Sequence, residues 1–416
     1  MSIMHSRHKA VALAVALLAG TAAQATIQVA HETISGPTIA GQSVLPEFEG
    51  TIDASSFQWG VGVGISRGPG GPAQVSKPSV SEITWTYQFD TSYNQLSQAA
   101  LAQGRYNTTA SFVDPDPNRP NASWLTMQTG TTAISGLSIS SGGDRPSVSV
   151  SQAFRSFNLT HDPANAGGRG SAESVGYNSS TEVTTGSNSR AVPLPAGAGN
   201  PANGIYLRLG AGPDAILGDS TARGYENWIS LSSFQMGIGI GLMPDGSGFL
   251  ASRPSVSEVT VSRSFDGASL AILANLLRGR EVGQATVEFV RSGPLGPVTY
   301  LQYELDDVIF SGMSISSGGE RPSESDSLNF SGFRKTTWEI KPDGTSDESS
   351  SIHFDLVAGK VTSDPLPSAI SFAGIGPGLL SPILPPTPIP EPQTLALMIG
   401  GLALLALRRR HRHRQA

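Results

Sequence analysis

Side chains able to carry acid–base or metal chemistry are sparse in this 416-residue chain, and their spacing does not gather them. Away from the two ends there are three histidines, His31, His161 and His353, and none stands at an interval that lets two ligate one ion. Cys is absent, which removes thiolate ligands, a thiol nucleophile and a disulfide framework together. Two acid pairs invite a catalytic reading. Asp306 and Asp307 are adjacent, and neighbours in a strand point to opposite faces, so solvated acids at a bulge are expected there in preference to an acid–base couple. Glu320 and Glu324 lie close in sequence, but the related stretch earlier in the chain keeps only Asp144, with Val148 at the second place. The sequence therefore nominates no catalytic, cofactor-binding or metal-binding residue, and no cofactor. The chain is read as non-enzymatic.

That related stretch is the organising feature. Ser135–Ser147 returns as Ser311–Ser323 with two changes, Leu137 to Met313 and Asp144 to Glu320, at an offset of 176 residues. Each copy holds a turn motif, Gly143-Asp144-Arg145-Pro146 and Gly319-Glu320-Arg321-Pro322. Its glycines permit unusual dihedrals, and its Arg is expected to hold a carboxylate; a ligand site is the alternative. The repeat extends outward. Ser55–Gly64 aligns with Ser232–Gly241, Pro78–Glu82 with Pro254–Glu258, and Phe154 and Phe157 with Phe330 and Phe333. Two domains are expected, 26–186 and 203–362, joined by a Pro-, Gly- and Ala-rich linker over 187–202.

The elements that would position these residues are mainly strands, given few charges, 48 Gly and short β-branched runs. Phe57, Trp59, Val61 and Val63 alternate with Gln58, Gly60, Gly62 and Gly64, and Phe234 to Leu242 do the same. The glycines thus share one sheet face, bare enough for close approach by another part of the same domain or by a neighbouring subunit. One helix per domain is predicted. In the second, Asp266 caps, Phe265 and Leu270 staple, Leu270, Leu273, Ala274 and Leu277 form the apolar stripe, and Gly279 ends it. Its counterpart runs from about Thr91 to Gln103 and ends at Gly104.

The two ends carry addresses. Arg7 to Lys9, the apolar Ala10–Ala19 and Ala23-Gln-Ala25 form a signal peptide over 1–25, cleaved after Ala25. A stalk rich in Pro, Ser and Gly over 363–388 leads to the segment 389–416. There Pro390, Glu391 and Pro392 precede a 13-residue apolar run, Leu395–Leu407, followed by Arg408, Arg409 and Arg410. As a helix that run reaches only about 20 Å against a hydrocarbon core of about 30 Å, and the basic cluster holds its end in the cytoplasm. Residues 1–25 and 392–416 hold seven of the 27 Lys and Arg and none of the 33 Asp and Glu, so the remaining body has a net charge of −13. An acidic body without a basic stripe argues against nucleic acid.

The order Pro-Glu-Pro, apolar helix, Arg cluster resembles the PEP-CTERM sorting signal of Gram-negative bacteria. That resemblance implies an exosortase-type processing enzyme, release near Pro390, and a membrane-anchored precursor exported through the inner membrane to the cell surface or its polysaccharide matrix. The alternative is a permanent membrane anchor. The second domain resembles Hcp, the tube protein family of type VI secretion. The likeness runs through Tyr206–Leu209, Gly218–Ser220, Ser257–Arg263, Leu305–Val308, Gly319–Pro322 and Ser327–Phe330. The first domain is similar but divergent. The resemblance implies two tandem Hcp-like β-barrels of two packed antiparallel sheets with one short helix each, and no catalytic site. It also implies self-association, here as a trimeric pseudo-hexamer. Two other readings stand beside a self-associating surface protein: a carbohydrate-binding or adhesive module using Trp59, Trp85, Trp124, Trp228 and Trp338, and a genuine type VI secretion component or effector. Alternation places Trp59 with Phe57 and Val61, in the core.

Overall fold

Strand for strand, the second half of the structure repeats the first. The computed structural model describes residues 26–68, 71–113, 122–165, 170–186, 193, 199–200, 202–244, 249–293, 296–318, 321–341 and 346–363. Each half opens on a strand, Thr26–Ser35 or Gly204–Leu209, paired antiparallel with the next, so that Ile27 faces Ala54 and Ile205 faces Leu231. The glycine strand Ile52–Gly62 follows the alternation of its sequence: Phe57, Trp59 and Val61 are buried. Trp59, Trp85 and Trp124 are all core residues, which removes them as exposed stacking platforms.

Helix α1 spans Ser92–Leu101 and α2 spans Ser269–Arg278. Asp266 locks the entry to α2 reciprocally. Its Oδ1 accepts the Ala268 N–H at 2.9 Å, and its own N–H donates to Ser269 Oγ at 3.0 Å. Gly279, at φ 58°, closes the helix in the left-handed conformation. In α1 that place is taken by Gln103, at φ 54°, one residue before the expected Gly104. Gly104 is needed for another reason: a Cβ there would stand 2.5 Å from the Tyr106 hydroxyl. The expected apolar stripe of α2 is also too narrow. Ile272 and Leu276 are buried along with Leu270, Leu273, Ala274 and Leu277. The reason is that α2 lies against two strands of the first half, Glu173–Asn178 and Val183–Gly186, as well as against its own.

The acid pair marks a corner where the chain changes sheets. The strand Gly296–Asp306 pairs in a seven-stranded sheet, Asp307 turns at φ 49°, and Ile309–Ser317 continues in a fourteen-stranded one. In the first half Thr131, at φ 52°, occupies the same place within the long strand Ser123–Ser140. A bulge was expected here; the break goes further because Leu305 and Phe310 serve different sheets around one core.

The two halves, expected as tandem barrels, are joined through a shared sheet. The large sheet runs through both halves, because Ile52–Gly62 pairs with Ile309–Ser317 of the second half. One hydrophobic core accordingly draws residues from both, and the described residues cluster as one compact unit. Among the described residues no helix is long and apolar enough to cross a membrane. The signal segment with Ala23 and Ala25, and the sorting segment with Pro390 to Pro392 and Arg408 to Arg410, lie outside the described residues.

Candidate functional site

The most elaborate arrangement of side chains lies where the halves meet. Phe57 faces Ser317, Trp59 faces Ile315, Val61 faces Met313 and Gly62 faces Gly312 along the shared seam. Past its end, the Val63 N–H donates to Ser311 O at 2.8 Å. The bare glycine face meets this neighbour: a Cβ on Gly60 would stand 3.1 Å from Met313 O. From the seam an arm continues as Ile65–Ser66 and returns as Gln74–Val75, held to itself by the Gly60 and Gly64 N–H groups, each 2.8 Å from a serine Oγ, Ser81 and Ser76 respectively. The arm reaches α2, where Val75 packs on Gly279 so closely that a Cβ would come within 2.9 Å. Arg278 donates to Gly186 O at 2.8 Å and Arg67 to Asn329 Oδ1 at 2.9 Å, tying the two sides.

A second cluster straddles the joint. Trp124 and His161 of the first half pack edge-on against Phe265 of the second, with ring centroids 6.1 and 5.3 Å away, and Arg321 lies 5.3 Å over the Trp124 ring. Burial pushes the His161 imidazole down to about 4, Asp266 opposing and Arg321 reinforcing the shift. Beside it a cavity of about 340 Å³ is lined by Asp219, Asp266, Arg321, Phe265 and four serines. Burial, then the Asp266 charge, raises the Asp219 carboxyl, whose Oδ2 accepts the Gly267 N–H at 3.1 Å. Among the described residues no group of three or more acids and histidines is placed to hold a metal ion.

The second half also buries an ion cluster. Arg263, fully enclosed, donates from Nε to Asp326 Oδ2 at 2.9 Å, from one terminal nitrogen to Asp266 Oδ1 at 2.5 Å, and from the other to Glu324. Burial disfavours the guanidinium charge, but Glu324, Asp266 and Asp326 outweigh it and raise its affinity for the proton. Burial likewise holds the Glu324 carboxyl well above the usual range, against the pull of Arg263. Glu324 Oε2 and Asp326 Oδ1 are buried without a hydrogen-bond partner, while the other oxygen of each carboxylate accepts from Arg263. The first half has Tyr87, Val148 and Val150 at these three places, all buried. The sequence weighs Glu324 only as a possible pair with Glu320; the signal missed is its period-two register with Asp326, opposite Arg263 on the paired strand.

The first turn motif lies open on the surface. Gly143 adopts φ 117°, as its glycine pair suggested, and Arg145 Nε donates to Phe89 O at 2.8 Å. The expected carboxylate partner is replaced by a carbonyl because Asp144 stands exposed on an open turn, where nothing forces pairing. Pro146 O accepts the Phe89 N–H and Pro322 O accepts the Phe265 N–H, so each motif anchors the strand before its helix. Gly319 and Glu320 lie outside the described residues. Trp228 is half-buried under Arg208, 5.0 Å above its ring, and Trp338 is half-buried in the strand Gly332–Ile340.

A family model described as type VI secretion system effector, Hcp, matches residues 31–161 and again 206–339. Among solved structures, Hcp1 from Salmonella typhimurium is 23% identical, with a TM-score of 0.31, over 38% of this chain and 97% of that one. A type VI secretion system effector from Yersinia pestis is 18% identical, with a TM-score of 0.27, over 36% and 98%. The secreted protein Hcp3 from Pseudomonas aeruginosa is 17% identical, with a TM-score of 0.25, over 35% and 96%. None of the curated proteins matches the chain.

Proposed function

Because the chain belongs to the Hcp family of type VI secretion, whose model matches both of its halves, we propose that it is a non-enzymatic structural protein that works by self-association outside the cytoplasm. The observation that carries this reading is the strand-paired seam between the halves, Phe57 to Gly62 on Gly312 to Ser317: the repeat unit is built to bind another repeat unit. Two repeats fused in one chain fill two places of a six-place ring, so three chains make a pseudo-hexamer. The signal segment ending at Ala25 directs export, and Pro390-Glu391-Pro392 with its Arg cluster directs sorting by an exosortase-type protease to the surface or exopolysaccharide of a Gram-negative cell.

Native mass of the exported chain tests the reading. Three chains per particle is the expected result, and a single chain at all accessible concentrations overturns it. Chromosomal Glu391→Ala should hold the product at its precursor mass in the membrane fraction; unchanged release would remove the sorting half of the proposal.

A further inference from the structure

The cavity beside Phe265 lies at the joint between the halves, and the two repeats use their turn arginines differently there. We propose that this cavity binds one sugar unit that carries no acidic group, and binds it best when the sugar carries an amine. The proposal concerns a ligand and stands whether or not the chain self-associates.

The joint sets one guanidinium free. In the first half Arg145 turns back, its Nε donating to Phe89 O at 2.8 Å. Its repeat partner Arg321 instead lies 5.3 Å over the ring of Trp124, a side chain of the other half. A cation–π contact consumes none of the five N–H donors, and among the described residues no protein acceptor takes one from Arg321.

Asp219 and Asp266 line the same cavity, and each has one oxygen already committed. Asp219 Oδ2 accepts the Gly267 N–H at 3.1 Å, and Asp266 Oδ1 accepts from Ala268 and Arg263. Among the described residues, the second oxygen of each accepts from no protein group, and the Ser230 and Ser264 hydroxyls of the lining are equally unengaged. The wall thus offers acceptor oxygens, an arginine fork and hydroxyls that serve either way, with Leu231 and Phe265 as its apolar part. A sugar ring matches that mixture: its hydroxyls donate to carboxylates and accept from a guanidinium, while its C–H face covers apolar side chains. At about 340 Å³ the space stands at the lower end of small-ligand cavities, about 300–1,000 Å³, and suits a single ring.

Charge selects among sugars. Two carboxylates against one guanidinium leave the wall with a net charge of −1. Arg263, behind Asp266, does not change this, because Glu324 and Asp326 already share it. A uronic acid is therefore disfavoured. An ammonium group relieves the repulsion between Asp219 and Asp266, which together with burial raises the Asp219 carboxyl.

Saturation-transfer NMR on the exported chain reads the site, with glucosamine, glucose and glucuronate each added at up to about 10 mM. The strongest transfer is expected to glucosamine, less to glucose and least to glucuronate. Asp219→Asn keeps the shape of the wall and should bring glucosamine down to the level of glucose without moving the melting temperature. Arg321→Gln should weaken both about tenfold. No transfer to any of the three, or glucuronate ahead of glucose, overturns the proposal. Lysine receiving as much transfer as glucosamine would assign the cavity to a bare amine and overturn it as well. Transfer unchanged by both variants would place sugar binding elsewhere on the chain and remove the site.

Discussion

Replacing Arg263 alone, or together with its carboxylates, distinguishes what the buried ion cluster does. Arg263 is fully enclosed with Glu324 and Asp326, both themselves buried. Arg263→Ala leaves Asp326 and Asp266 facing no cation; breaking a buried pair in this way costs about 3–5 kcal/mol. The first half already shows the apolar solution, with Tyr87, Val148 and Val150 buried in the same frame. The Tyr87 hydroxyl even reaches the helix entrance, with Ser92 Oγ 3.3 Å away. Grafting that solution as Arg263→Tyr, Glu324→Val and Asp326→Val should therefore be neutral or stabilising by up to about 4 kcal/mol. Urea unfolding of the exported chain at pH 7, read by tryptophan fluorescence, measures both. A loss below about 1 kcal/mol for Arg263→Ala, or a triple variant less stable than Arg263→Ala, would refute the reasoning.

Burial holds His31 and His161 at about 4, against an unfolded value near 6.5, so between those values the unfolded chain binds more protons. Their stabilisation is full above pH 6.5 and is lost as pH falls toward 4; His161→Gln should flatten the stability slope there by roughly 1.4 kcal/mol per pH unit relative to wild type. Glu324 acts in the opposite sense, since its raised affinity removes stability as pH rises above the unfolded carboxyl value, and Glu324→Gln should lessen that loss. Gly279→Ala combines a left-handed φ of 58° with a Cβ 2.9 Å from Val75, so thermal melts should show a loss of about 1–2 kcal/mol. Gln103→Gly, at the equivalent left-handed place, should gain up to about 1 kcal/mol.

Much of each half was legible because local patterns there agree with the final packing. Phe57, Trp59 and Val61 alternate toward one core, and Asp266 and Gly279 bracket a helix. The joint was not legible, because Val61 and Ile238 are equivalent in sequence and opposite in exposure. A repeat tells which positions correspond and says nothing about which copy is covered. The burial of Arg263 was hidden for a different reason. In strand alternation a polar side chain reads as outward-facing, and only its pairing with Glu324 and Asp326 across two strands reverses that. The acidic turn residues were over-read in the opposite direction: Asp144 lies in the open, and Arg145 binds a carbonyl.

Electron cryomicroscopy of particles released by cells exporting the native chain tests the central claim most directly. The account predicts six similar densities contributed by three chains. Particles that hold a single chain, or rings built from six separate chains, would contradict it.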